Sequence, residues 1–316
     1  MHTQFDSNGR LRHLLTLEGF TRNQIVELLD RAQAYVCRAG EIPSRNEALA
    51  GRTVAQLFFE PSTRTRASFE LAARRLGADV LNLDLRTSSR AKGESLLDTV
   101  YTLQAMHSDI FVVRDSTAGV PGLIAEHVAP HVRVLNGGEA DVNHPTQGLL
   151  DMLTIRQHKP DFGQLTVTII GDIKHSRVAR SASHALRTLD VGELRLVAPE
   201  ALRASEDEFQ GAVMTDDIAE GVTGADVLMV LRIQKERITE SAIPNAEDYF
   251  QRFGLTSERL KLAHSDAIVM HPGPMNREIE IASDVADGPQ SVIEQQVSNG
   301  VAVRMAVMES VMAAAG

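Results

Sequence analysis

Short apolar runs alternate with stretches of helical spacing along almost the whole of this 316-residue chain, and that alternation restricts its fold more than any other feature. After an amphipathic stretch at 22–38, strands read at 53–59, 79–84, 109–114 and 133–136, with helices at 65–76, 95–107 and 122–127 between them. The second half repeats the scheme, with strands at 165–171, 193–197, 212–214, 227–231 and 267–270 and helices at 177–189 and 291–314. Strands separated by helices pair in parallel and are covered on both faces. The expected class is therefore α/β, as two doubly wound domains, each a parallel sheet flanked by helices. A helix at 144–159, entered through Pro145, bridges them. The expected domains are 1–143, to which a last helix at 295–316 returns, and 144–294; the length suits two domains.

Chemistry in such folds collects beyond the carboxyl ends of the strands, and the first strand ends in Phe58-Phe59-Glu60-Pro61-Ser62-Thr63-Arg64-Thr65-Arg66. Ser62, Thr63 and Thr65 then lie at a helix N-terminus, where unpaired N–H groups and the positive end of the helix dipole favour an anion. Arg64 and Arg66 can add forked, charge-assisted bonds. A Ser or Thr cap followed by surface arginines is the plain alternative, which three hydroxyls interleaved with arginines disfavour. The turn lacks the Gly-Lys-Ser/Thr ending of a Walker loop.

Further polar clusters fall at strand ends. They are the loop Thr87 to Glu94, Arg114 at the end of an apolar run, and Asn143-His144-Pro145-Thr146-Gln147-Gly148 at a helix entrance. A helix N-terminus keeps His144 neutral and able to donate, although a capping role fits equally. In the second half, Arg177 and Arg232 offer guanidinium groups suited to a dicarboxylate, with Gln234 close by. His271-Pro272-Gly273-Pro274 fixes a backbone path that presents carbonyl oxygens to an amine, or is simply a rigid turn. A cleft between two sheets is the expected active site.

A net charge of −10 argues against a nucleic-acid partner, and no apolar run approaches a membrane span. Cys37 is the only cysteine, which excludes intrachain disulfides and points to the cytoplasm. No metal is expected: HExxH and Cys/His clusters are absent, and Pro130 interrupts the helix that would align His127 with His131. Neither the dinucleotide fingerprint nor a Gly-x-Ser-x-Gly elbow occurs, so no cofactor is expected.

Taken together, Phe58 to Arg66, Lys92-Gly93-Glu94, His144-Pro145-Thr146-Gln147 and His271-Pro272-Gly273-Pro274 resemble the carbamoyltransferase family. Glu60 before the Ser-Thr-Arg-Thr turn, and Pro272 where the ornithine enzymes usually carry cysteine, resemble its aspartate-specific branch. Gly273 and Met275 depart from some members of that branch.

The resemblance implies transfer of the carbamoyl group of carbamoyl phosphate to the amine of L-aspartate. The products are N-carbamoyl-L-aspartate and phosphate, in de novo pyrimidine biosynthesis. It implies that 1–143 binds carbamoyl phosphate and 144–294 binds aspartate. Ser62, Thr63, Arg64 and Thr65 would hold the phosphate, and Thr65, Arg114 and His144 would donate to the carbamoyl oxygen. Gln147, Gly273 and Pro274, with the Pro272 carbonyl, would hold the carbamoyl NH2. Arg177, Arg232, Gln234 and Lys92 would grip aspartate, with Ser88 and Lys92 reaching in from a neighbouring subunit of a homotrimer. The leaving phosphate would accept the proton, and the domains would close over both substrates.

Another amine acceptor such as ornithine, and a non-catalytic anion-binding module, remain as alternatives. Sequence leaves open any regulatory or dihydroorotase-like chains beyond the trimer, and the role of the turn read at 237–254.

Overall fold

The computed structural model describes residues 4–38, 40–84, 95–233 and 245–313. The chain forms two compact units: unit 1 is Met1–Leu150 with Ser298–Gly316, and unit 2 is Asp151–Val297. The chain passes between them within two helices, α5 (Pro145–His158) and α11 (Ile293–Ala313).

Unit 1 is built on β1 (Thr53–Phe58), β2 (Asp79–Asp84), β3 (Ile110–Asp115) and β4 (Arg133–Glu139), all parallel, in the order β2-β1-β3-β4. Its helices include α1 (Arg22–Gln33), α2 (Thr63–Arg75), α3 (Leu96–Ala105) and α4 (Val120–His127). Ala55, Leu57, Phe111, Val113 and Val134 share one face of the sheet and pack with Val100, Leu103, Ile124 and Ala125 of α3 and α4. Because both faces are covered, β3 is buried at every residue and reads as a continuous apolar run. Truncating such a fully buried Phe111 to alanine costs about 3–5 kcal/mol.

α2 buries Phe69, Ala72, Ala73 and Leu76, at helical spacing. It stops where Gly77 takes φ +81°, and Ala78 N–H donates to Ala73 C=O at 3.0 Å, a left-handed cap that a side chain disfavours. β4 runs three residues beyond its expected end, through Gly137 and Gly138 to a buried Glu139. Asn136 supplies the side-chain bonds there, donating to Leu15 C=O and Glu139 and accepting from Gly138 N–H. α11 adds its last turns to unit 1, where the buried Arg133 donates to Val311 C=O at 2.9 Å.

Unit 2 has β5 (Thr166–Ile170), β6 (Glu193–Val197), β7 (Val213–Thr215), β8 (Val227–Val230) and β9 (Ile268–Met270), all parallel, in the order β7-β6-β5-β8-β9. Its helices include α6 (Arg177–Thr188), α7 (Ile218–Val222), α8 (Ala246–Phe253), α9 (Ser257–Leu260) and α10 (Ser283–Ala286).

The turn read at 237–254 is corrected by α8; residues 237–244 lie outside the described residues. Asn245 caps this helix by accepting from Asp248 N–H at 2.9 Å, and Tyr249 and Phe253, four residues apart, are its buried stripe. No helix among the described residues is long and apolar enough to cross a membrane.

Candidate active site

In unit 1 the strand order reverses between β1 and β3, the position where a crevice opens beyond the strand tips. Ser62 leaves β1's end in extended conformation and is the N-cap of α2, yet its hydroxyl makes no capping bond. The first intrahelical bond there runs from Arg66 N–H to Ser62 C=O at 3.2 Å. The N–H groups of Thr63, Arg64 and Thr65 precede it and lack intrahelical partners by position. Thr65 is buried, whereas Thr63 and Arg64 are exposed. Arg66, read with Arg64 as an anion donor, holds its guanidinium over the Phe58 ring, 5.1 Å from the centroid.

Arg114 is paired in register with Phe58, across the same reversal point. It is not a solvated strand end: only 8% of it is exposed. Its Nη1 donates to Gly137 C=O at 3.1 Å, and its Nη2 pairs with the Glu60 carboxylate. Phe59 N–H donates to Arg114 C=O at 2.8 Å, which ties the Glu60 turn to the same strand. Glu60 thus neutralises and aims a guanidinium that burial would otherwise penalise. His144 follows the end of β4 after a Glu139–Asn143 bridge and opens α5, its carbonyl accepting from Gln147 N–H at 2.9 Å. Both His144 and Gln147 are buried.

In unit 2 the reversal lies between β5 and β8. Gly171 follows β5 with φ +131°, and a Cβ there would meet the Leu231 carbonyl oxygen at 3.0 Å. The close approach of two main chains requires glycine. The buried Asp172 carboxylate accepts from the His175 ring at 2.9 Å and from His175 N–H at 3.2 Å, rounding the turn into α6. Ser176 caps α6, accepting from Ala179 N–H at 3.0 Å, so Arg177 occupies the first helical position. Arg232, exposed, stands just past β8.

The loop after β9 holds Pro272, Gly273 and Pro274, with a cis Gly273–Pro274 peptide. Gly273 N–H donates to His271 Nδ1 at 2.8 Å, so the ring proton sits on Nε2 and is donated to Glu280 Oε1 at 3.1 Å. Burial, with the negative charges of Glu280 and Asp172, pushes the Tyr249 phenol up.

Ser62, Thr63, Arg64, Thr65, Arg114, His144 and Gln147 therefore lie in unit 1, and Arg177, Arg232, Gly273 and Pro274 in unit 2. Ser88, Lys92 and Gln234 fall outside the described residues. Sequence reasoning did not assign Glu60 as the partner of Arg114, nor Asp172 and Glu280 as organising carboxylates. An acidic residue just after a strand was the available signal for Asp172; Glu280 had none. Among the described residues no group of three His, Cys, Asp or Glu side chains could hold a metal ion.

Residues 12–157 match the family model described as the carbamoyl-P binding domain of aspartate/ornithine carbamoyltransferase, and residues 163–311 match its Asp/Orn binding domain. Among similar solved structures is aspartate transcarbamoylase from Trypanosoma cruzi in complex with carbamoyl aspartate and phosphate. It is 34% identical, with 95% of this chain and 96% of that one covered and a TM-score of 0.82. The same enzyme in complex with N-(phosphonacetyl)-L-aspartic acid matches at 33% identity, 95% coverage of each chain and a TM-score of 0.79. Ornithine carbamoyltransferase from Thermus thermophilus matches at 25% identity, covering 95% and 99%, with a TM-score of 0.84.

Proposed function

The chain belongs to the aspartate/ornithine carbamoyltransferase family, and from that premise we propose the part each half of the site plays. The protein transfers the carbamoyl group of carbamoyl phosphate to the amine of L-aspartate. The single observation that carries this is the coincidence, at the reversal point of unit 1, of the Ser62 helix terminus with a buried Arg114 held by Glu60. Together they supply main-chain donors for a phosphate and an aimed guanidinium for a neighbouring oxygen.

Unit 1 is the carbamoyl-phosphate half and unit 2 the aspartate half. The phosphate rests on the N–H groups and hydroxyls of Ser62, Thr63 and Thr65 and on Arg64. Thr65, Arg114 and His144 donate to the carbamoyl oxygen, which gains negative charge as the amine attacks. Each donor so placed contributes on the order of 3 kcal/mol. Gln147 accepts from the carbamoyl NH2, together with the backbone of Pro272 to Pro274. Arg177, Arg232 and Gln234 hold the two carboxylates of aspartate. The amine nitrogen bonds to the carbamoyl carbon, the bond from that carbon to the phosphate oxygen breaks, and the phosphate carries off the amine proton. Ser88 and Lys92 act in the site of a neighbouring subunit, which makes a homotrimer the working form, in the cytoplasm.

Aspartate is preferred over ornithine because unit 2 offers arginines at its strand tips, suited to a second carboxylate and repulsive to a second ammonium. Assay of carbamoyl transfer to each amine tests the reading. A kcat/KM for ornithine equal to or above that for aspartate, or transfer to neither, would refute it.

A further inference from the structure

Glu280 is 1% exposed, and its carboxylate is surrounded by hydrogen-bond donors. Oε1 accepts from His271 Nε2 at 3.1 Å and from Asn276 N–H. Oε2 accepts from Asn276 Nδ2 at 3.3 Å and, at the longer distance of 3.5 Å, from Ile233 N–H. Asn276 Nδ2 also donates to Ile233 C=O at 2.8 Å. The peptide groups on both sides of Ile233 are therefore tied to the loop that follows β9. A buried carboxylate is costly, and an apolar residue of similar size would often serve stability as well. Only an acceptor with several lone pairs can gather N–H groups from two loops at once.

The main chain at this point is anchored independently. Leu255 N–H donates to Glu280 C=O at 3.0 Å, and Ala282 N–H donates to Leu255 C=O at 3.0 Å. The side chain is thus available for something other than holding its own segment in place.

We propose that Glu280 is a positioning residue that makes the segment Arg232-Ile233 and the loop His271 to Asn276 move as one body. This aligns the guanidinium that holds the acceptor's carboxylate with the loop that holds the carbamoyl NH2. The inference rests on the assignment of aspartate to unit 2.

Glu280→Gln is the informative change. Its oxygen can still accept from His271 Nε2 and Asn276 N–H, but its NH2 group faces the Ile233 and Asn276 Nδ2 donors. This loosens the Arg232 segment, left with the Asn276–Ile233 bond alone, while sparing the His271 loop. Steady-state kinetics of this variant should show the KM for aspartate raised about ten- to hundredfold, with a smaller fall in kcat. The KM for carbamoyl phosphate and the Kd for inorganic phosphate should stay within about twofold, because the phosphate donors lie in unit 1 and the His271 loop, which meets the carbamoyl NH2, keeps its bonds to the Gln oxygen.

Asn276→Ala loosens the same clamp from the other side and should reproduce the split. The double variant should be little worse than either single one, as residues acting through one contact are not additive. Unchanged aspartate kinetics in Asn276→Ala, or equal losses for both substrates in either variant, would overturn the positioning role, even if Glu280→Gln fails to fold. Wild-type protein inactive toward aspartate would instead refute the assignment beneath it.

Discussion

The sheets of units 1 and 2 begin alike. Asp109, one residue before β3, accepts from Thr53 N–H at 2.9 Å, and Asp226, one residue before β8, accepts from Thr166 N–H at 2.9 Å. Each pins the register of a central strand pair. At the carboxyl ends the resemblance stops. Unit 1 turns a helix terminus outward and settles its buried guanidinium on Glu60. Unit 2 turns its donors inward, onto the carboxylates of Asp172 and Glu280. One tip therefore sets an uncapped helix start beside a buried guanidinium, and the other carries Arg177 and Arg232 beside carboxylates that organise its loops. The amino ends are pinned alike, whereas the carboxyl ends are built differently.

The comparison is broken most severely at Arg64. Arg64→Ala should lower turnover at least about 10³-fold, while binding of an aspartate analogue to the folded protein survives. Calorimetry showing both lost would mean the two tips are not separable. Glu60→Gln comes next, removing the charge that offsets Arg114. A fall in kcat of about 10- to 100-fold with an unchanged KM for aspartate is expected, the mirror image of the Glu280→Gln result. A raised KM for aspartate in that variant would erase the contrast.

Gly171→Ala tests the crowding peculiar to unit 2. A Cβ 3.0 Å from the Leu231 carbonyl, at φ +131°, should cost about 3 kcal/mol, read from the urea midpoint. An unshifted midpoint would show that the strand tip can give way.

The smallest effect belongs to unit 1 and to acid. His13 is buried, with Val134 N–H donating to its Nδ1 at 2.9 Å. Burial, with Arg12 and Arg133 nearby, lowers its pKa to about 3 from the ordinary 6.5. The unfolded chain therefore binds the proton first. The stabilising contribution is complete above pH 6.5 and is lost as the pH falls toward 3. Between pH 7 and 5 that loss is about 2 kcal/mol. His13→Asn keeps an acceptor for Val134 N–H and should flatten this slope; an unaltered slope would assign it to other groups.

The regular fold was legible because parallel strands covered on both faces spell themselves as apolar runs. β4 was read short because Gly137 and Gly138 look like a turn when the buried side-chain bonds of Asn136 are unseen. α8 was missed because Tyr249 and Phe253 are its only buried residues. The turn Ser62 to Arg66, proposed to hold phosphate, is contiguous in sequence and could be read directly. Glu280 could not, since the partners it gathers include His271, nine residues away, and Ile233, 47 away. A carboxylate that joins loops leaves no local spacing to detect.

Unit 1 is discontinuous, and its last piece is the end of α11, whose Val311 carbonyl receives Arg133. On the ribosome, the residues up to Leu150 emerge first yet wait for the whole of unit 2 to be translated before that bond can form. Unit 2, an unbroken stretch from Asp151 to Val297, has all its residues in hand earlier. The order of synthesis and the order of completion are thus reversed, and nascent chains halted before residue 298 should bind chaperones through an unfinished N-terminal half.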